Sequence, residues 1–285
     1  LKPPPFEYKD PRSLDEATGI LAECGDDGKV LAGGQSLVPL LNFRLAQPSV
    51  IVDVNRVQGL SYLRRRDGRL LIGALCRQTR LEQSPVAREG WGLLGAALKL
   101  VAHPQIRNRG TVGGSAAHAD PAAELPVAFT CLDARFRARS TRGERVIDAG
   151  DFFITHLTTA LEPDELLVEI EVPPLPEGTG YAFEEYSRRH GDFALGGAAA
   201  LYTSNGDGVC REARISLLGA ADTPLRAREA EQALVGRKLD EDVAREAAAV
   251  ATRDIQPTGD IHGSGAYRKR LIETMVRRAL LKAAA

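Results

Sequence analysis

Leu31-Ala32-Gly33-Gly34-Gln35-Ser36-Leu37 and, further along the chain, Gly110-Thr111-Val112-Gly113-Gly114-Ser115-Ala116-Ala117-His118-Ala119-Asp120-Pro121 are the two stretches on which the reading turns. In the first, the apolar run Val30-Leu31-Ala32 is a short buried strand that stops at the glycine pair. Ser36 is placed to cap the helix that follows, over 37–45, with Leu37, Leu40, Leu41 and Leu45 on its apolar side. A glycine pair between strand and helix lets backbone N–H groups converge on a tight concavity, which suits a pyrophosphate. Ser36 adds a hydroxyl and Gln35 an amide; the alternative is a plain strand-turn-helix connection. The second stretch reads as another glycine-pair turn, flanked by Thr111 and Ser115. Asp120 is expected to cap the next helix, with Pro121 in its first turn and Glu124 beyond. Two such turns can close on one elongated, phosphate-containing ligand from opposite sides. Neither is G-x-G-x-x-G, and no Gly-Lys-Ser/Thr follows either, so the dinucleotide fingerprint and the P-loop are both absent.

Outward from these stretches, Ser13-Leu14-Asp15-Glu16 is a capping box for a helix that fades near Gly25, and Val50–Val54 is a near-continuous β-branched strand. Residues 60–66 and 69–74, joined by Asp67-Gly68, read as a hairpin. Helices are expected over 91–101 and 122–132, an antiparallel pair over 135–139 and 144–147, and an alternating strand over 166–172. Pro173-Pro174-Leu175-Pro176-Glu177-Gly178 is the best linker. Beyond it, three antiparallel strands (181–186, 196–203, 210–218) precede helices over 226–234, 240–253 and 265–284. The class is α+β, with a front part of two sub-domains (1–55, opening β-α-β, and 56–175) and a C-terminal sheet-and-helices domain (176–285).

The 285 residues carry 37 Lys and Arg against 38 Asp and Glu, a net charge of -1, without the basic excess that nucleic acid would call for. No apolar run approaches the roughly 20 residues of a membrane span, and Leu1–Pro5 lacks the apolar core of a secretory signal, so a cytoplasmic protein is expected. Cys24, Cys76, Cys131 and Cys210 are never spaced as C-x-x-C, and the histidines are scattered. The cysteines read as buried free thiols, and a protein-bound metal centre in this chain is not expected. Arg outnumbers Lys 30 to 7, so Arg107 and Arg109 read as structural ion-pair residues. Arg64-Arg65-Arg66 reads as the solvated end of a hairpin strand, and His103 as structural. In Arg188-Arg189-His190-Gly191-Asp192-Phe193-Ala194, Phe193 either covers a flat cofactor ring or is a core aromatic beside a glycine turn. No order of Ser, His and Asp suggests an activated nucleophile.

Ala32-Gly33-Gly34-Gln35-Ser36-Leu37 with Pro-x-x-Asn-Phe-Arg-Leu after it, and Arg107-Asn108-Arg109-Gly110-Thr111-Val112-Gly113-Gly114-Ser115 with Ala-His-Ala-Asp-Pro-Ala-Ala-Glu, resemble one family. It is the FAD-binding medium subunit of bacterial molybdenum hydroxylases, the xanthine dehydrogenase and carbon monoxide dehydrogenase group. The resemblance runs nearly end to end, through Phe6-x-Tyr8, Asp164-Glu165-Leu166-Leu167, the Arg-Arg-x-Gly-Asp-Phe-Ala stretch and Tyr267-Arg268. It implies a vanillyl-alcohol-oxidase-like (PCMH-type) FAD fold of two sub-domains, closed by the C-terminal domain. It further implies a heterotrimer, commonly doubled. A large subunit would oxidise substrate at a molybdenum cofactor, and a small subunit would carry two [2Fe-2S] clusters. This chain would then pass electrons through FAD to an external acceptor.

By matched position, Ala32, Gly33, Gly34, Gln35, Ser36 and Leu37, with Thr111, Gly113, Gly114 and Ser115, would bind the FAD diphosphate and ribityl region. Val101 and Ala102 would line the cleft. His118, Asp120 and Glu124 would lie near the flavin or its sugar-alcohol chain, Leu167 would pack by the isoalloxazine, and Phe193 would stand by its face. Ser115 stands where Asn is common, Gln35 where some members have His, and Phe193 where carbon monoxide dehydrogenases have Tyr. These departures weaken the carbon monoxide reading, and Gln35 with the Ala-His-Ala-Asp pattern at 117–120 resembles more the N-heterocycle and aldehyde oxidising branch. The alternatives are a carbon monoxide dehydrogenase medium subunit, a stand-alone flavoprotein oxidase, and a scaffold that has lost FAD.

Overall fold

The computed structural model describes residues 2–285. Strands β1 (Glu7–Lys9), β2 (Gly28–Leu31) and β3 (Val50–Asp53) form a parallel sheet in the order β1-β3-β2. The β-branched strand takes the centre, Ile51 lying between Tyr8 and Lys29. The first strand, three residues long, is too short to show alternation and escaped the sequence reading. Helix α1 (Leu14–Cys24) covers the sheet with Ala17 and Leu21. Ser13 accepts from the Glu16 N–H at 3.1 Å, while Glu16 reaches back to the N–H of Arg12. Helix α2 (Leu37–Asn42) stops short of residue 45 because Arg44 turns left-handed, with φ 59°.

In the hairpin β4 (Leu63–Arg66) and β5 (Arg69–Gly73), Asp67 and Gly68 both have positive φ, 50° and 75°, as a tight two-residue turn requires. Six short helices follow: α3 (Gln78–Glu82), α4 (Pro85–Gly90), α5 (Gly92–Leu98), α6 (Pro104–Arg109), α7 (Val112–His118) and α8 (Glu124–Cys131). The sequence reading expected two longer ones. Pro85 and Pro104 each begin a new helix, and helices this short carry too little period to be read. Helix α8 begins at Glu124 because the Asp120 carboxylate accepts from the Ala122 N–H at 2.8 Å, so Asp120 and Pro121 shape a turn ahead of the helix rather than its cap.

Strands β6 (Arg135–Ser140) and β7 (Gly143–Asp148) pair as expected; α9 (Ala149–Phe152), β8 (Phe153–Thr155) and β9 (Thr158–Thr159) connect them to β10 (Leu166–Val172). The resulting antiparallel sheet runs β4-β5-β10-β6-β7. Its outer face is a ladder of charges (Arg69 to Glu171 at 2.6 Å, Arg137 to Glu169 at 3.2 Å), and Arg64, Arg65 and Arg66 are exposed at its edge. Its inner side includes Phe136, stacked on Phe152 at 3.9 Å and edge-on to Phe129 at 5.9 Å.

The last part is an antiparallel sheet, β11 (Gly180–Tyr186), β12 (Gly196–Ser204), β13 (Cys210–Leu218) and β14 (Leu225–Arg226), with helices α10 (Arg228–Leu234), α11 (Glu241–Thr252) and α12 (Gly265–Ala284). Helix α12 lies so close that a Cβ at Gly196 would come within 2.6 Å of Ile272. On the other face Cys131 of α8 points at the Ala199 carbonyl, and Phe183, Ala199, Leu201 and Leu218 share one core with Leu94 and Phe129. All four cysteines are free; burial pushes the Cys131 thiol up to about 12 and Cys76 to about 11, so both are unreactive at neutral pH.

Candidate functional site

The two glycine stretches touch. Gly33 lies directly on the backbone of the second stretch, and a Cβ there would sit 2.5 Å from the Arg109 carbonyl and 2.8 Å from the Gly110 Cα. Gly34 has φ 73°, a conformation that favours glycine, and Gln35 folds its amide back onto the Gly33 carbonyl at 2.9 Å. Among the described residues, the N–H groups of residues 33–37 find no acceptor within the chain. Such a run of unpaired donors at the carboxyl end of a parallel strand forms a cradle for an anion. Ser36 does not cap α2: its backbone is already helical, at φ -104° and ψ -48°, rather than extended as a cap needs. Its exposed hydroxyl is thereby left at the edge of the cradle. Ala32 and Leu37 flank the cradle, both half-buried.

The second stretch is not a turn but the first turns of α7. Thr111 is its cap, accepting from the Gly114 N–H at 3.0 Å, and is only 2% exposed. The N–H groups of Val112 and Gly113 are bound to the carbonyls of Cys76 (2.8 Å) and Ala74 (2.9 Å). The glycine pair of this stretch therefore offers no free backbone donors. It contributes shape, since Gly113 lies against Ala74 and the bare Cα of Gly114 faces Ala32, where an added Cβ would stand 3.7 Å from the alanine methyl. The hydroxyl of Ser115 is half-buried and has no partner among the described residues.

The backbone at Val101 and Ala102 is held by a buried arginine. Arg107, 8% exposed, donates to the Val101 carbonyl at 2.8 Å and to that of Ala102 at 3.3 Å, and pairs with Glu82 at 2.8 Å. Ala102 has φ 39°, a strained left-handed conformation for an alanine. The structural reading of Arg107 agrees with this geometry. Arg109 differs from it, making no ion pair among the described residues. His103 packs on the C-terminal domain, since a Cβ at Gly191 (φ 89°) would come within 2.5 Å of its ring. That contact sets the position of the loop bearing Phe193, which is 74% exposed and so not a core aromatic. Leu167 is 4% exposed within the core, on β10, where it has almost no surface to present to a ring.

At the far end of α7, burial lowers the proton affinity of His118, only partly offset by Asp120. Glu124 is 8% exposed, and burial, then the nearby Glu185 carboxylate, raise it to about 8. Burial raises Glu185 to about 7, and its Oε2 has no partner.

Four residues were given no site role in the sequence reading. Tyr8 donates to Asp53 at 2.6 Å; Asp53 holds Asn55; Asn55 donates to the Ala32 carbonyl at 2.7 Å; and Arg77 links Asn55 (2.9 Å) to the Arg109 carbonyl. Asp53-Val54-Asn55 leaves the carboxyl end of β3, the edge of a parallel sheet where ligands bind, and that was the available signal.

The cradle at 33–37, its closure against 109–114, and the free hydroxyls of Ser36 and Ser115 fit an extended diphosphate-bearing group. The α+β fold and these joined stretches agree with the FAD-binding class that the resemblance implies. A family described as "FAD binding domain in molybdopterin dehydrogenase" matches residues 4–175, and "CO dehydrogenase flavoprotein C-terminal domain" matches 181–283. The 6-hydroxypseudooxynicotine dehydrogenase complex subunit alpha of Paenarthrobacter nicotinovorans is 48% identical over 99% of this chain and 96% of its own length. The solved quinoline 2-oxidoreductase from Pseudomonas putida 86 has a chain 41% identical, with TM-score 0.95, covering 100% of this chain and 98% of that one. Carbon monoxide dehydrogenase from Hydrogenophaga pseudoflava has one 39% identical, with TM-score 0.96, covering 99% and 98%. The chain belongs to the family of FAD-binding medium subunits of molybdenum hydroxylases. Its cofactor is FAD, and it is one subunit of an oxidoreductase complex.

Proposed function

We propose that this chain takes electrons from two [2Fe-2S] clusters on a small subunit and delivers them, through FAD, to an external acceptor, within a cytoplasmic dimer of heterotrimers. The large subunit would oxidise an N-heterocycle or an aldehyde at a molybdenum cofactor. Relatives named for quinoline and 6-hydroxypseudooxynicotine support that substrate class, and free thiols suit a reducing compartment. The observation that carries the FAD site is the run of free N–H groups at 33–37, closed by the Gly33 contact with residues 109 and 110.

In this reading FAD supplies the redox chemistry, and the protein supplies position and electrostatics. Sub-domain 1 (residues 1–55) binds the diphosphate with its backbone donors, from Gly33 through Gln35 to Leu37, and with the Ser36 hydroxyl. Sub-domain 2 (56–175) contributes the bare face of Gly114 and the Ser115 hydroxyl, with Thr111 and Gly113 fixing the backbone that presents them. Val101 and Ala102 wall the cleft. The C-terminal domain (176–285) brings Phe193 over it. His118, Asp120 and Glu124 stand toward the ring and its sugar-alcohol chain, with Leu167 behind. No side chain need act as acid or base. The test is a visible absorption spectrum of the purified chain and of its complex, with and without added FAD, before and after dithionite. Flavin bands that bleach on reduction are expected; a folded chain and complex that take up no FAD would overturn the proposal.

A further inference from the structure

The first glycine stretch follows β2 of the parallel sheet, the second runs from the end of α6 into α7, and side chains hold the separation of the two. Asp53 Oδ1 accepts from both the backbone N–H (2.9 Å) and the Nδ2 (2.7 Å) of Asn55, and the Tyr8 hydroxyl occupies Asp53 Oδ2 at 2.6 Å. The carboxamide of Asn55 is thus fixed in orientation. Its Nδ2 also donates to the Ala32 carbonyl at 2.7 Å, at the head of the first glycine stretch, and its Oδ1 accepts from Arg77 Nη2 at 2.9 Å. The other arm of Arg77 donates to the Arg109 carbonyl, the oxygen against which Gly33 rests. The Arg77 backbone bridges to Thr111, the cap of α7.

We propose that Asn55 and Arg77 form a clamp that sets the spacing of the two glycine stretches and thereby the affinity of the chain for the FAD diphosphate, an inference that rests on the FAD reading above. Both are positioning residues, acting through the backbone they hold. The planar guanidinium gives one arm to Asn55, which holds the first stretch, and the other to the second stretch, a division that a lysine ammonium on its single stem does not reproduce. Arg77 makes no ion pair among the described residues: its guanidinium binds only neutral oxygens, with Arg109 nearby and Asp53 in partial opposition. An arginine held this way adds positive field to a site built for an anion.

The experiment measures FAD dissociation constants of the full chain, and the flavin-to-iron ratio of its complex, for wild type, N55A, R77K, R77M and the double variant N55A/R77M. Each single substitution should weaken FAD binding about tenfold or more, and R77K should not restore it. The double variant should be no weaker than its weaker parent, because the two residues act as one device. Melting of the FAD-free chain serves as the control for a merely structural role, and should change little. The clamp is overturned if both single variants bind FAD within about twofold of wild type, if their effects multiply in the double variant, or if lost affinity is matched by lost stability of the FAD-free chain. A wild-type chain and complex that bind no FAD would instead overturn the FAD reading, and the clamp with it.

Discussion

Gly33 and Gly114 look alike in the sequence and differ in the structure. A Cβ at Gly33 meets only backbone, the Arg109 carbonyl at 2.5 Å and the Gly110 Cα at 2.8 Å, and backbone cannot step aside. At Gly114 the near contact is the Thr111 hydroxyl at 2.6 Å, a side chain that can rotate at the expense of its cap. Gly33→Ala should therefore prise the two stretches apart and leave the complex without FAD while its iron and molybdenum contents hold. Gly114→Ala should weaken flavin retention less. Metal analysis beside flavin absorbance reads both, and a flavin-replete Gly33→Ala complex would contradict the assignment.

The connection from α5 through α6 to α7 shows how a short element can be held by one buried side chain. Arg107 satisfies the carbonyls of Val101 and Ala102 and pairs with Glu82, keeping Ala102 at its strained φ of 39°. Removing one member of a buried ion pair leaves the other charged and unpaired, which typically destabilises by roughly 3–5 kcal/mol. Arg107→Met should thus cost about 3 kcal/mol, read by denaturant unfolding, and should loosen the Val101–Ala102 wall. A loss below about 1 kcal/mol, as for an exposed pair, would show that other contacts hold the loop.

At the scale of the whole molecule, the C-terminal sheet and the front part share one apolar core, and buried Glu124 lies near half-buried Glu185 where they meet. A buried carboxyl ionises at a cost, and a second carboxylate nearby raises that cost. Asp120 adds to the rise at Glu124, and Arg107 opposes it. The folded chain keeps protons that the unfolded chain, ionising near 4.5, releases. Stability should therefore fall as pH climbs from about 4.5 to about 8, then level off. Glu185→Gln should flatten that slope and raise the melting temperature most at the alkaline end. Melts of the two proteins from acid to alkaline pH check this, and parallel slopes would remove the pair as the cause.

The sequence by itself determined the class, the major strands, the C-terminal helices and the two glycine stretches, because these depend on local pattern. β-Branched runs, Asp67-Gly68 at a hairpin and glycine pairs beside strands declare themselves without distant partners. Only the tertiary structure decided which atoms of those stretches are available. Thr111 and the N–H groups of Gly113 and Gly114 look like ligand donors in the sequence, yet the fold commits them to Ala74 and to the cap of α7. Ser36 looks like a cap and is free. Asn55, Arg77 and Glu185 carry no local signature, since their meaning lies in what they meet across the fold: a carbonyl more than twenty residues away along the chain, or a carboxyl of another part of the molecule. A hydrogen bond is satisfied in three dimensions, so whether a donor remains free for a cofactor is settled only when the chain has closed on itself.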